Sequence, residues 1–99
     1  MKVEWSPLAL ADREAIFDYA EARSARMAII GDERISMSVL RLTSFPELGH
    51  FGRVEGTREL SVEGTPFVLV YRLKERRDDA TVTILRVIHG SRRWLHRIE

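Results

Sequence analysis

The sequence predicts an α+β domain of element order βααβββ, with two N-terminal helices packed on a small antiparallel sheet. Three observations predict it. Apolar residues recur at spacings of three and four through the first half of the chain, the repeat of a helix buried along one side. In the second half they alternate or gather in short β-branched and aromatic runs, the pattern of strands. The breaks between those runs are short and hold glycine, proline or clustered charge, so the strands should follow one another as a meander.

Lys2-Val3-Glu4-Trp5 alternates polar and apolar, as a short half-buried strand does. Ser6-Pro7 is a helix start: serine can cap the free N–H groups, and proline at the first helical position loses nothing by having none. Leu8, Ala11, Ala15, Tyr19 and Ala22 form an apolar stripe, broadened by Ile16 and Ala20, which leaves Asp12, Arg13, Glu14 and Asp18 outside it. This helix should end near Arg23-Ser24.

A second helix is expected from Ala25 to Thr43, with Ala28, Ile35, Val39 and Leu42 in one stripe and Ile29, Ile30, Met37 and Leu40 widening it. Gly31 in its middle costs about 1 kcal/mol relative to alanine. So broad an apolar surface is either wrapped by the domain or used by a partner. Wrapping is the expectation, because a chain of 99 residues has little other material for a core.

Pro46 through Arg53, with one proline and two glycines, reads as a loop. Thr57 to Val62 is the next strand, Glu63-Gly64-Thr65-Pro66 a hairpin turn, and Phe67 to Leu73 a central strand. Lys74 to Asp79 is a charged turn, Thr81 to Ile88 the last strand, and His89 to Glu99 a short tail. The chain shows no repeat, low-complexity run or linker, so residues 1–99 form one domain.

Composition narrows the function classes. Without cysteine there is no disulfide framework and no thiolate chemistry, which suits a reducing cytoplasm. The three histidines have no metal-ligand spacing, so neither a metal site nor a cofactor is expected. No stretch approaches the ~20 apolar residues of a membrane span. The first residues place an acid and then a proline where a signal peptide needs an apolar run, so a cytoplasmic protein is expected. The net charge of +1 conceals an asymmetry. The acids lie mostly in the first two-thirds, whereas Arg72, Lys74, Arg76, Arg77, Arg86, Arg92, Arg93 and Arg97, with His89 and His96, crowd the end. A local basic face can attract an anionic partner, or be only a solvated edge.

Several segments, taken in order, carry a family likeness. Trp5-Ser6-Pro7 and Asp12 to Tyr19 open it; Phe45-Pro46-Glu47-Leu48-Gly49 and Gly52 to Leu60 continue it; Gly64 to Arg72 and Ile84 to Gly90 complete it. Over nearly its whole length the chain resembles the RelE/ParE superfamily of toxins, with a ParE-like leaning. The resemblance implies the toxin of a type II toxin–antitoxin (plasmid stabilisation) module, a growth inhibitor neutralised by a cognate antitoxin. Such an antitoxin typically wraps a flexible segment around its toxin.

Two mechanisms occur in the superfamily: the RelE-like branch cuts messenger RNA on the ribosome, and the ParE-like branch inhibits DNA gyrase. RNA cleavage without a metal needs an acid or base and groups that neutralise phosphorane charge. Histidine is the side chain suited to acid or base work near neutrality, so His89 would take that role, and Arg58 and Arg86, with Arg92 and Arg93, would clamp phosphate. The RelE-like pattern, however, resembles Arg-Leu-Val-Tyr in the central strand, where this chain has Val68-Leu69-Val70-Tyr71. Of its paired lysines only Arg58 remains, with Leu60 at the second position, and Gly90 falls where it has an arginine. These departures favour gyrase binding without catalysis; a ribosome-dependent endoribonuclease using His89, Arg58 and Arg86 is the alternative. A relative that binds antitoxin but has lost toxicity is a third reading.

In either active case the effector surface is expected in the basic tail, on Arg92, Arg93, Trp94 and Arg97. Each residue also has a plainer reading. His89 before Gly90 fits a turn, Arg58 beside Glu59 an ion pair, Tyr71 the packing of the sheet, and Trp94 a plug at the sheet's end.

Overall fold

The computed structural model describes residues 1–91. Its elements are β1 (Lys2–Trp5), α1 (Pro7–Glu21), α2 (Ala25–Ser44), β2 (His50–Phe51), β3 (Arg58–Ser61), β4 (Phe67–Arg76) and β5 (Asp79–His89). The five strands form one sheet in the order β1-β5-β4-β3-β2, and the α+β architecture expected from the sequence is the one found. The meander from β2 to β5 is antiparallel, whereas β1 lies parallel to β5, pairing Lys2 with Thr81 and Trp5 with Ile84. The sheet is therefore mixed. No local pattern could have announced that pairing, because β1 and β5 are joined through every other element.

Both helix starts form as the sequence indicates. Ser6 Oγ accepts from the Ala9 N–H at 3.1 Å, and Ser24 Oγ caps α2 through the Met27 N–H at 3.2 Å. The turning face of α1 differs from the expected stripe. Ala11, Ala15, Tyr19 and Ala22 are exposed, while Ala9 is fully buried and Asp12, Arg13, Ile16 and Ala20 are half-buried beside it. Charge decided the rotation: Asp12 faces Arg86 and Arg13 faces Asp32, so two residues that hydropathy assigns to solvent have partners inside the molecule.

α2 buries Ala28, Ile35, Ser38 and Leu42 against the rest of the domain. The residues expected to widen that stripe do not enter the core: Ile29, Ile30, Met37 and Leu40 are exposed, as is Met27. The broad apolar surface is thus not wrapped. A helix offers a sheet only one side, and here the other side of α2 faces outward.

The loop read between Pro46 and Arg53 contains the two-residue strand β2, which pairs with β3. The expected turn from Lys74 to Asp79 contracts to Arg77-Asp78, with Arg77 at φ 43°, and the hairpin strands continue through the charged residues on both sides. At the other end, Val70 pairs with Arg86 and Tyr71 with Ile84, leaving Leu85 as the extra residue of a bulge. The bulge lets Ile84 and Val87, three apart and so normally on opposite faces, share one core with Leu69, Tyr71, Val82, Val62, Ile35, Leu42 and Ala9.

Candidate functional site

Beyond Trp5 the edge of β5 is taken over by α1. The Ser6 N–H donates to Ile84 O at 2.9 Å and its hydroxyl to Leu85 O at 2.8 Å. One and a half turns later Asp12 Oδ2 accepts the Val87 N–H at 3.0 Å. The same carboxylate binds Arg86 in a two-pronged pair, Nε to Oδ2 at 2.6 Å and Nη2 to Oδ1 at 2.9 Å. Arg86 is only 9% exposed. The hydrogen bonds it donates to Asp12, outweighing burial, hold its guanidinium above the usual arginine pKa. Arg86 thus joins α1 to β5.

Arg58 lies at the start of β3, opposite Tyr71. Its Nη1 donates to Gly49 O at 2.8 Å and Glu47 O at 3.3 Å, and its guanidinium lies 4.5 Å from the centroid of the Phe51 ring. Glu59, next in sequence, points to the opposite face of the strand. It is 4% exposed and accepts the Arg53 N–H at 2.8 Å. Arg58 therefore organises the Glu47–Phe51 turn and is not Glu59's ion-pair partner.

Tyr71 supports the same turn from below. It is fully buried, its hydroxyl donates to Pro46 O at 2.8 Å and accepts the Gly49 N–H at 2.9 Å, and burial pushes its pKa up. Gly49 has to be glycine here, because a Cβ would come within 2.8 Å of the Tyr71 ring and of Glu59 O. This packing role agrees with the plainer reading of Tyr71.

His89 closes β5 opposite Phe67, whose ring meets it edge-on at 5.8 Å. Its Nδ1 accepts the Ser91 N–H at 3.2 Å and lies 2.7 Å from Ser91 Oγ. That is the geometry of a turn residue. Arg58 and His89 are set four residues apart along β4, about 13 Å, and on strands either side of it, another ~10 Å. The fold brings neither of them to Arg86's partner Asp12. Val68, at the position where an arginine would strengthen an RNase reading, pairs with Ser61 and Ile88. Arg92, Arg93, Trp94 and Arg97 lie outside the described residues.

Sequence reasoning missed two features. Phe51, 80% exposed with a cation on its ring, follows exposed Phe45 and Leu48 in the segment after α2. Its signal was in the turn itself: two aromatic residues and a leucine in a segment otherwise rich in glycine have no helix or strand face to fill. The second is the Asp12–Arg86 pair. Asp12 falls three after Ala9 and four before Ile16, a buried helical face that the alanines elsewhere in α1 obscured.

Comparison with known proteins bears on what this arrangement serves. Residues 3–94 match the family described as "ParE toxin of type II toxin-antitoxin system, parDE". A relative from Sinorhizobium fredii, named "Putative toxin Y4kP", is 32% identical over 93 residues, covering 94% of this chain and 92% of its own. Among solved structures, one described as a chromosomal ParDE TA system from P. aeruginosa superposes with a TM-score of 0.76 at 27% identity, covering 90% of this chain and 95% of that one. A YoeB/ParE toxin from Agrobacterium tumefaciens shares the fold, with a TM-score of 0.58 at 17% identity over 88% of this chain and 96% of its own.

Proposed function

The chain belongs to the ParE toxin family of type II toxin–antitoxin systems, and from that premise we propose that it inhibits growth by binding DNA gyrase, without catalysis, until a cognate antitoxin neutralises it. The observation that carries the non-catalytic reading is the separate engagement of the three catalytic candidates. Arg86 is tied to Asp12, Arg58 to the Gly49 and Glu47 carbonyls, and His89 to Ser91. An RNase would have to release them and bring an acid or base and its charge-stabilising partners to one phosphate, where each missing donor costs about 3 kcal/mol of transition-state stabilisation.

The unwrapped side of α2 supports the partner half of the proposal. Met27, Ile29, Ile30, Met37 and Leu40 expose the kind of apolar surface that an antitoxin segment covers. The basic residues Arg92, Arg93 and Arg97, with Trp94, are the effector surface in this reading. Full toxicity in a chain lacking residues 92–99 would remove them from that role.

The decisive experiment induces the protein without its partner and pulse-labels DNA and protein synthesis separately. Arrest of DNA synthesis with translation continuing is the expected result. Early collapse of translation, with cut messages abolished by His89→Ala, would overturn gyrase binding in favour of a ribosome-dependent endoribonuclease. Undisturbed growth would mean a family member that binds antitoxin without being toxic.

A further inference from the structure

The basic residues of the β4–β5 hairpin have no part in the site described so far, yet the fold collects them. Side chains alternate along a strand, so while Val3, Leu73 and Val82 pack into the core, their neighbours Lys2, Arg72, Lys74, Thr81 and Thr83 share the opposite face of the sheet. The register sets them in rows. Lys2, Thr81 and Lys74 stand side by side on β1, β5 and β4; Glu4, Thr83 and Arg72 form the next row; and Arg76 faces Asp79 near the hairpin tip. Together they line an open groove of about 620 Å³, with Leu85 in its lining. Lys2 and Lys74 are the only two lysines in the chain, and both are here.

The groove holds four basic and two acidic side chains. One of the acids is already satisfied. Asp79 lies 3.4 Å from the Met1 ammonium and accepts the Ala80 N–H at 2.9 Å. That N–H and the ammonium beside it keep its carboxyl below the usual range. The positive excess therefore rests on Lys2, Lys74 and Arg76, all exposed, over a floor of strand backbone that concentrates their field.

Lys74 and Arg76 are two residues apart on one strand, a repeat of about 6.8 Å, which is also the repeat of alternate side chains in an extended peptide. A nucleic acid would carry a phosphate at every step past Glu4 and Asp79 alike. A peptide can place carboxylates against the basic residues and uncharged side chains against the acids. The interspersed charge thus favours protein over nucleic acid as the occupant.

We propose that this groove binds an extended acidic protein segment, its alternate carboxylates set against Lys74 and Arg76 and reaching Lys2 across the sheet. That the cognate antitoxin supplies the segment rests on the toxin–antitoxin reading above.

The test uses the full chain and three fluorescent probes at low salt: a short peptide of alternating Glu and Thr, its Gln counterpart, and an oligothymidylate of similar length. Fluorescence anisotropy should show the Glu peptide binding about tenfold or more tightly than the other two, with a like loss in the Lys74→Glu, Arg76→Glu double variant. Equal binding of the Gln peptide, tighter binding of the oligothymidylate, or full affinity in the double variant would each overturn the proposal. If the double variant does not fold, acetylation of the wild-type chain decides. The Glu peptide should protect Lys2 and Lys74, and unchanged modification of both would overturn the groove. Growth on induction is scored separately. Its failure to stop would overturn the toxin reading and leave the peptide measurement standing, and the converse holds as well.

Discussion

Asp12→Ala would take from Arg86 the carboxylate of its two-pronged pair and from the Val87 N–H its acceptor. Removing one member of so enclosed a pair costs about 3 kcal/mol, and urea denaturation should show that loss. Asp32→Ala breaks a pair of similar geometry, Arg13 Nε to Oδ1 at 2.7 Å, but its side chains are 26% and 35% exposed against 11% and 17% for Arg86 and Asp12. Solvent screens it, and about 0.5–1 kcal/mol is the expected cost. The Asp32 pair also has a pH signature. The hydrogen bond from Arg13 holds the Asp32 carboxyl below its ordinary 3.8, against the smaller opposing effect of burial. A carboxyl with a depressed folded-state pKa contributes stability above its unfolded value and loses it as the pH falls through the folded one. The stability difference between wild type and Asp32→Asn should therefore be largest near neutrality and shrink on acidification below about pH 4. A difference that grows in acid would contradict the assignment. Neither pair was legible in the sequence. Hydropathy treats every Asp and Arg on a helix as solvent-facing, and a partner 74 positions away leaves no local trace.

The secondary elements were legible where local chemistry sets them and not where distant packing does. Ser6 and Pro7 mark the first helix start because capping needs only the next three residues, and Ser24, legible only as the end of α1, caps α2 in the same way. The rotation of α1 about its axis depends on β5, so a stripe counted from Leu8 and the alanines pointed the wrong way. The charge clustered from Lys74 to Asp79 suggests a turn. Extended hairpin strands tolerate charge when one face is open, and the hydrogen-bond ladder carried β4 on to Arg76. α2 offers the cleanest test at this scale. Gly31 interrupts a helix of 20 residues, and a Cβ added there has nothing within 4 Å. Gly31→Ala should stabilise the protein by about 0.5–1 kcal/mol through helix propensity alone, seen as a higher thermal midpoint. A lowered midpoint would mean that this face of α2 is packed more tightly than its surroundings indicate.

At the scale of the molecule, the helix side turned outward and the groove on the far face of the sheet are chemically different surfaces. One is apolar, with Met37 and Leu40 each more than half exposed, and the other carries both lysines. Met37→Glu with Leu40→Glu should leave stability within about 0.5 kcal/mol, since neither side chain is in the core. The pair should weaken antitoxin binding about tenfold or more in a calorimetric titration, because a partner segment would lose its apolar contact. Unchanged affinity would place the antitoxin elsewhere. The order of the meander could be read from turn lengths. The closure of the sheet by β1 could not, because parallel pairing across most of the chain is a property of the finished fold alone.

That closure has a consequence during synthesis. β1 emerges from the ribosome before any other strand, and the residues it pairs with, Thr81 to Ile84, are made last among the strands. At roughly 5–20 residues per second the wait is ~4–16 s. Throughout it Ser6 and Asp12 also lack Ile84, Leu85 and Val87, the groups they later hold. A chain stopped anywhere before Val87 cannot seal its own sheet. The sheet is therefore completed only with the last strand, and a partner made alongside has those seconds in which to meet the chain while its first strand is still unpaired.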